Sequence, residues 1–262
     1  MSRAPGRPRP RVRPRAGWLL MALGIAVIAV GFVVAATQRP SPRGLAIGSL
    51  VSPPRPVPRI PLVAATGERT SLAHYRGRVV VLAPFLSLCS EHCPITTGAF
   101  MQAARRVAAA GLASRVAFIE TTVDPWRDTP RRLRAFQRLI GDRRTIMLTG
   151  TAAHLEAFWR FFGVWSRRVP EGTPAAIDWW THRPERFDVE HTDAVLIIDP
   201  AGRWRIAVLG MANPSGPLPP ALRSLLDAEG LRNLRRPTEP WTVAELLQDV
   251  GHVLGTPAGE TG

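Results

Sequence analysis

The sequence predicts an α/β sandwich, three layers deep (α/β/α), carried behind a single N-terminal transmembrane helix. Three observations predict it. Short β-branched apolar runs alternate with segments of helical period between residues 78 and 162, the pattern of parallel strands covered by helices. A hairpin pattern and a closing amphipathic segment follow. Ahead of these lies an uncharged apolar stretch at residues 16–38, and roughly 20 helical residues cover the ~30 Å core of a bilayer.

The leader 1–16 is basic and faces the cytoplasm under the positive-inside rule, because Arg3, Arg7, Arg9, Arg11, Arg13 and Arg15 precede the apolar stretch. The anchor is placed at 17–38, and the domain that follows lies outside the cytoplasm. The alternative is a signal peptide cut after Val34-Ala35-Ala36. A signal core is usually about 7 to 15 residues, so the longer stretch favours a retained, single-pass anchor in the cell membrane. Residues 38–61 hold seven prolines, which predicts a semi-rigid extended spacer over 39–59.

The net charge of the 262 residues is +14, which by itself suggests a nucleic-acid partner. The first acidic residue is Glu68, and ten arginines precede it, so residues 1–67 carry +10 and the remainder only +4. The charge belongs to the leader and spacer, where it suits topology and anionic lipid, and no nucleic-acid partner is expected. The composition, 45% hydrophobic and 21% charged, supports a packed core.

Within the domain, placed at 60–255 with a short tail at 256–262, Ile60 to Ala73 reads as a hairpin around Thr66-Gly67. Arg78 to Leu86 reads as a buried central strand. A helix follows from Ile95 to Ala110, then a strand from Val116 to Val123. Thr129 as N-cap, Pro130 at the first helical position and Gly141 at the end frame the next helix. Thr145–Leu148 is a short strand, and a helix from Thr151 to Phe162 stops at Gly163. A long connection spans 164–187. Ala194–Asp199 and Trp204–Leu209 flank the turn Pro200-Ala201-Gly202 as a hairpin. Residues 213–238 are proline-rich and are assigned no element, and Trp241–Leu254 closes the domain as an amphipathic helix. This order suits a thioredoxin-like fold.

The two cysteines, Cys89 and Cys93, form one CxxxC between the central strand and a helix whose first turn holds Pro94. Proline there biases Cys93 away from helical geometry, so the motif is a loop feeding a helix N-terminus. Unpaired N–H groups and the helix dipole favour thiolate at that position. A plain staple across three residues constrains the unfolded chain little. Redox chemistry and metal binding both fit, and the spacing does not separate them.

A soft metal on two thiolates takes a further ligand, and imidazole suits copper or zinc. His74, His154 and His252 read as surface or packing residues, and His182 lies in the Trp-rich connection. His92, between the cysteines, is near enough to touch a bound metal or to stabilise a thiolate. His191 stands in Asp188-Val-Glu-His191, leading into the apolar strand Ala194–Ile198.

Taken together, Tyr75-Arg-Gly-Arg-Val-Val-Val, Cys89-x-x-x-Cys93-Pro94, Val123-Asp124-Pro125-Trp-Arg127-Asp128-Thr129-Pro130, Leu148-Thr-Gly150-Thr and Asp188-Val-Glu-His191 with Ile198-Asp-Pro-Ala-Gly202 resemble the Sco/SenC family over about residues 60–210. These are membrane-anchored, thioredoxin-fold copper proteins that help assemble the binuclear copper centre of cytochrome c oxidase. The resemblance implies Cys89, Cys93 and His191 as ligands of Cu(I) or Cu(II). It also implies a copper-bearing oxidase subunit or another cuproprotein as partner, and a metallochaperone rather than an enzyme. Asp124 and Asp128 resemble the family's acidic loop, although a turn at Asp124-Pro125 and a helix cap at Asp128-Thr129 account for most of that motif. The chain departs from the family pattern at Leu86-Ser87, Ser90-Glu91 and His92.

A second function keeps the same residues in another role, with Cys89 and Cys93 as the redox pair of a thiol–disulfide oxidoreductase that keeps exported cysteines reduced. A peroxiredoxin fits poorly, because neither cysteine sits in a Pro-x-x-x-Thr-x-x-Cys pattern.

Overall fold

The structure is a computed structural model and describes residues 44–255. The expected leader and anchor at 1–38 and the tail at 256–262 lie outside the described residues. No helix among the described residues is long and apolar enough to cross a membrane.

The described residues form twelve strands: β1 (Ser49–Pro56), β2 (Leu62–Ala64), β3 (Arg69–Thr70), β4 (Val79–Phe85), β5 (Val116–Thr122), β6 (Ile146–Thr149), β7 (Ser166–Pro170), β8 (Phe187–His191), β9 (Ala194–Ile198), β10 (Arg203–Leu209), β11 (Ala212–Asn213) and β12 (Trp241–Thr242). The helices are α1 (Cys93–Ala109), α2 (Pro130–Ile140), α3 (Ala152–Phe162), α4 (Pro220–Arg223), α5 (Ala228–Arg235) and α6 (Val243–Gly255). Eight strands make one mixed sheet in the order β1-β10-β9-β4-β5-β6-β2-β3. β4, β5 and β6 run parallel, and the flanking pairs are antiparallel. All residues of β4, β5 and β9 are buried, as expected of strands covered on both faces. α1 packs on β5, α4 and α6, α2 packs on β6, and α3 sets Phe162 edge-on to Trp204 of β10. This is a thioredoxin-like arrangement of a mixed sheet and its helices.

Local signals decide the element ends. Thr129 and Thr151 accept hydrogen bonds from Arg132 N and His154 N at the starts of α2 and α3, and Gly141 and Gly163 end them in the left-handed region. Only glycine takes that conformation without strain.

Two expectations are corrected. Residues 44–59 are not a spacer. β1 is the edge strand of the main sheet, paired with β10, and Asp249 of α6 accepts hydrogen bonds from Ala46 N and Gly48 N at 2.5 and 2.8 Å. The prolines suggested a free segment because they lack donors, but an edge strand pairs on one side only and tolerates that loss. The connection 164–187 is also partly regular, because β7 pairs with β8 as a separate two-stranded ribbon.

Candidate metal centre

The cysteine loop is built on the end of β4. Beyond Phe85 the chain stays buried through Leu86, Ser87 and Leu88. The Ser87 backbone N–H and hydroxyl donate to Asp128 at 3.1 and 2.5 Å, and the Trp179 indole donates to the Ser87 carbonyl at 2.7 Å. Thr122 Oγ1 also donates to Asp128, at 2.6 Å. Asp128 is therefore not a helix cap as the sequence suggested; Thr129 alone caps α2, and the Asp128 carboxylate turns inward to hold the strand end that carries the cysteines. Burial, reinforced by the charge of Asp124, pushes Asp128 up to about 6 against the pull of its donors.

Both cysteines are free thiols, Cys89 partly exposed and Cys93 buried. Cys89 Sγ accepts from the backbone N–H groups of His92 and Cys93 at 3.4 and 3.3 Å. The hydrogen bond from the Cys93 thiol is the main influence that lowers Cys89 to about 6, opposed by burial and helped by His191 and the two N–H groups. Cys93 moves the opposite way, raised by burial first and then by the neighbouring Cys89 sulfur. The pair thus holds one thiolate and one thiol near neutral pH.

His191 arrives from the ribbon. It ends β8 opposite Ser166 of β7 and sets Nε2 3.6 Å from Cys93 Sγ. Its Nδ1 lies 3.0 Å from the Thr192 carbonyl. A carbonyl oxygen only accepts, so Nδ1 carries a proton, and in the neutral ring it is the Nε2 lone pair that faces the sulfur. Arg127 ties the ribbon to the domain, donating to Asp124 at 2.5 Å and to Glu185 and the Phe187 carbonyl at 2.7 Å each. Its guanidinium also lies 4.1 Å from the Phe187 ring centre. Asp124 acts here through Arg127. Burial raises its carboxyl while Arg127 opposes the shift.

His92 stands beside the loop with its ring 3.4 Å from Glu91 and 3.6 Å from Asp193. Burial pulls it down, but the Glu91 hydrogen bond, Asp193 and the Cys89 sulfur raise it to about 9. A protonated imidazole offers no lone pair, so His92 serves as a positive neighbour of the thiolate. His182 is exposed in the turn closed by its N–H on the Asp178 carbonyl, and His74 is exposed beside Tyr75.

The three expected donors form a chain of contacts, Cys89 to Cys93 and Cys93 to His191. Among the described residues, no group of three or more His, Cys, Asp or Glu side chains is drawn in as a closed metal cage. The donor chemistry nonetheless fits a soft ion, with two sulfurs and one imidazole lone pair at a single place.

Sequence reasoning missed the Ser87–Asp128 contact, the role of Arg127 and the packing of α5 on the cysteine loop. Only Arg127 left a signal, a lone cation among the acids of the DPWRD motif.

The SCO1/SenC family model matches residues 56–223. No curated protein sequence matches the chain. Among solved structures, the apo Sco1 protein from Thermus thermophilus is similar at a TM-score of 0.52 and 19% identity, covering 80% of this chain and 97% of that one. BsSco, described as a Sco-family cytochrome c oxidase assembly protein with a disulfide switch, is similar at 0.50 and 15% identity, covering 80% and 99%. Copper-bound ScoI from Arabidopsis thaliana is similar at 0.48 and 17%, covering 77% and 99%. The family match takes in most of the main sheet, both cysteines and His191, well over half of the sequence, and the chain belongs to the SCO1/SenC family.

Proposed function

We propose that this protein is a membrane-anchored, extracytoplasmic copper chaperone that delivers copper to the binuclear centre of cytochrome c oxidase, or to another cuproprotein, with Cys89, Cys93 and His191 as the ligands of its cargo. One observation carries the reading. His191 Nε2 stands 3.6 Å from Cys93 Sγ, with its proton committed to the Thr192 carbonyl on the other nitrogen. Simple disulfide exchange needs no such imidazole. Two thiolates suit Cu(I), and the added imidazole makes Cu(II) tolerable. Cys89 offers its sulfur as thiolate near neutral pH, Cys93 gives up its proton when copper arrives, and copper leaves by exchange onto the ligands of the acceptor. The apolar stretch at 17–38 would hold this domain on the outer face of the cell membrane.

The lowered Cys89 thiol supports a second reading, a thiol–disulfide oxidoreductase with Cys89 as attacking sulfur and Cys93 as resolving thiol. Copper titration of the purified chain separates the two. We expect one equivalent to bind, at least tenfold more weakly after His191→Ala. Unchanged copper affinity in both His191→Ala and Cys89→Ser refutes the copper reading. A mixed disulfide trapped on Cys93→Ser would then favour the second.

A further inference from the structure

The segment 213–238, which holds α4 and α5 and whose residues beyond 223 lie outside the family match, folds onto the cysteine loop. Its first half is seated on α1. A Cβ on Gly98, five residues after Cys93, would lie 2.3 Å from Leu218 Cδ2, and Leu222 is fully buried. Its second half, α5, meets the loop between the cysteines. The Asp227 N–H donates to the Ser90 carbonyl at 3.1 Å, and Ser90 Oγ donates to Asp227 Oδ2 at 3.1 Å. The other oxygen of Asp227 accepts from Gly230 N at 2.8 Å and caps α5. One carboxylate therefore starts the helix and holds the loop.

Gly230 fixes how closely the two approach. A Cβ there would lie 2.2 Å from the Ser90 carbonyl oxygen, 2.8 Å from Leu226 Cδ2 and 3.2 Å from Glu91 Cα. Its φ is not in the left-handed region, and alanine is the better helix former. Glycine serves contact here, not backbone freedom.

We propose that α5 is a clamp on the cysteine loop, with Asp227 and Gly230 as positioning residues that hold Ser90 and Glu91 in the dithiol arrangement and so oppose closure to a disulfide. The proposal rests on reading Cys89 and Cys93 as the working pair. With glutathione disulfide as oxidant, the bond between the Cys89 and Cys93 sulfurs forms and the glutathione S–S bond breaks. Two electrons pass to glutathione; the Cys93 proton leaves on one reduced glutathione, and the other departs as thiolate and takes its proton from solvent. The clamp shifts this equilibrium toward the dithiol.

The test is the equilibrium constant of the full chain against glutathione redox buffers, read as the fraction of alkylatable thiol. Gly230→Ala pushes the loop away and is expected to raise the constant for disulfide formation about tenfold, or about 30 mV toward a more negative potential. Ser90→Ala removes one of the two contacts and is expected to give about threefold in the same direction. Val253→Ala, a core truncation in α6, is expected to lower the melting temperature and leave the constant unchanged. A Gly230→Ala constant within twofold of wild type overturns the clamp, and so does an equal shift in Val253→Ala. If Gly230→Ala does not fold, an unchanged Ser90→Ala constant overturns it. No copper enters the measurement. A shifted constant in a chain that fails the copper titration keeps the clamp and sinks the chaperone reading, and the reverse pair of results sinks the clamp alone.

Discussion

Removing the Asp128 carboxylate should show how firmly the strand end beneath the cysteines is held, and at what pH. Asp128 accepts from Ser87 N, Ser87 Oγ and Thr122 Oγ1 with no exposure to solvent. Asp128→Ala strands the Ser87 N–H, and a buried donor left unpaired costs about 1–3 kcal/mol. With the two hydroxyls and the lost side-chain volume, about 3 kcal/mol is expected in total. Asp128→Asn costs far less at neutral pH, because its carbonyl can keep the two bonds to Oδ2 and the Ser87 hydroxyl can turn to accept from its amide.

The acid and the amide differ in pH dependence. Asp128 titrates near 6 in the folded chain against an ordinary value of 3.8, so the folded state binds the proton more tightly. That contribution to stability is fully present below pH 4 and is lost as pH rises through 6. Linkage over that interval makes wild type about 2 kcal/mol more stable relative to Asp128→Asn at pH 4.5 than at pH 7. Urea unfolding of both proteins at the two pH values, followed by tryptophan fluorescence, measures the double difference and cancels carboxylates common to both. A double difference near zero, or one of opposite sign, would refute this account of the loop's support.

Two further outcomes are expected. Cys89 should be alkylated with a midpoint near pH 6 while Cys93 stays protected, and Cys93→Ala should move that midpoint upward, because the Cys93 hydrogen bond is the largest influence lowering it; iodoacetamide rates against pH measure both. Arg127→Leu leaves Asp124 and Glu185 buried without their cation, and breaking such a pair costs about 3–5 kcal/mol. Denaturant unfolding measures that cost, and a loss below about 1 kcal/mol would show that the carboxyls are neutral as folded.

The parts of the fold that were legible in the sequence are those whose cause is local. Val79–Phe85 announces a buried strand by its own side chains, and Thr129, Pro130 and Gly141 mark α2 by their own backbone preferences. β1 was hidden because its prolines argue against pairing in general, whereas the edge of the sheet asks for bonds on one side only. The ribbon was hidden because Ser166-Arg-Arg-Val-Pro170 has little apolar alternation and packs outside the main sheet. α5 carries a proper N-cap in Asp227, but Gly230 in its first turn reads as a helix breaker until Ser90 is seen against it. The cysteine pair was legible from its spacing. Its contact with His191 spans 98 residues, so a family resemblance could suggest it and spacing could not derive it.

The supports of the three donors differ in kind, and under the proposed reading that bears on how cargo leaves. Both sulfurs rest on the main sheet and α1, and the strand end that leads to them is pinned by Asp128 and Trp179 in the domain interior. The imidazole rests on a two-stranded ribbon whose ties include Arg127 and a few partly exposed contacts, among them the Trp165 N–H on Thr192 at 3.1 Å. Regions with fewer buried contacts open at lower free-energy cost than core strands. His191 is then the donor that an acceptor displaces with least disturbance to the fold, leaving copper on two sulfurs, the coordination that suits Cu(I). On that reading a three-donor site would hold copper in transit and still release it, because its third donor is carried outside the main sheet.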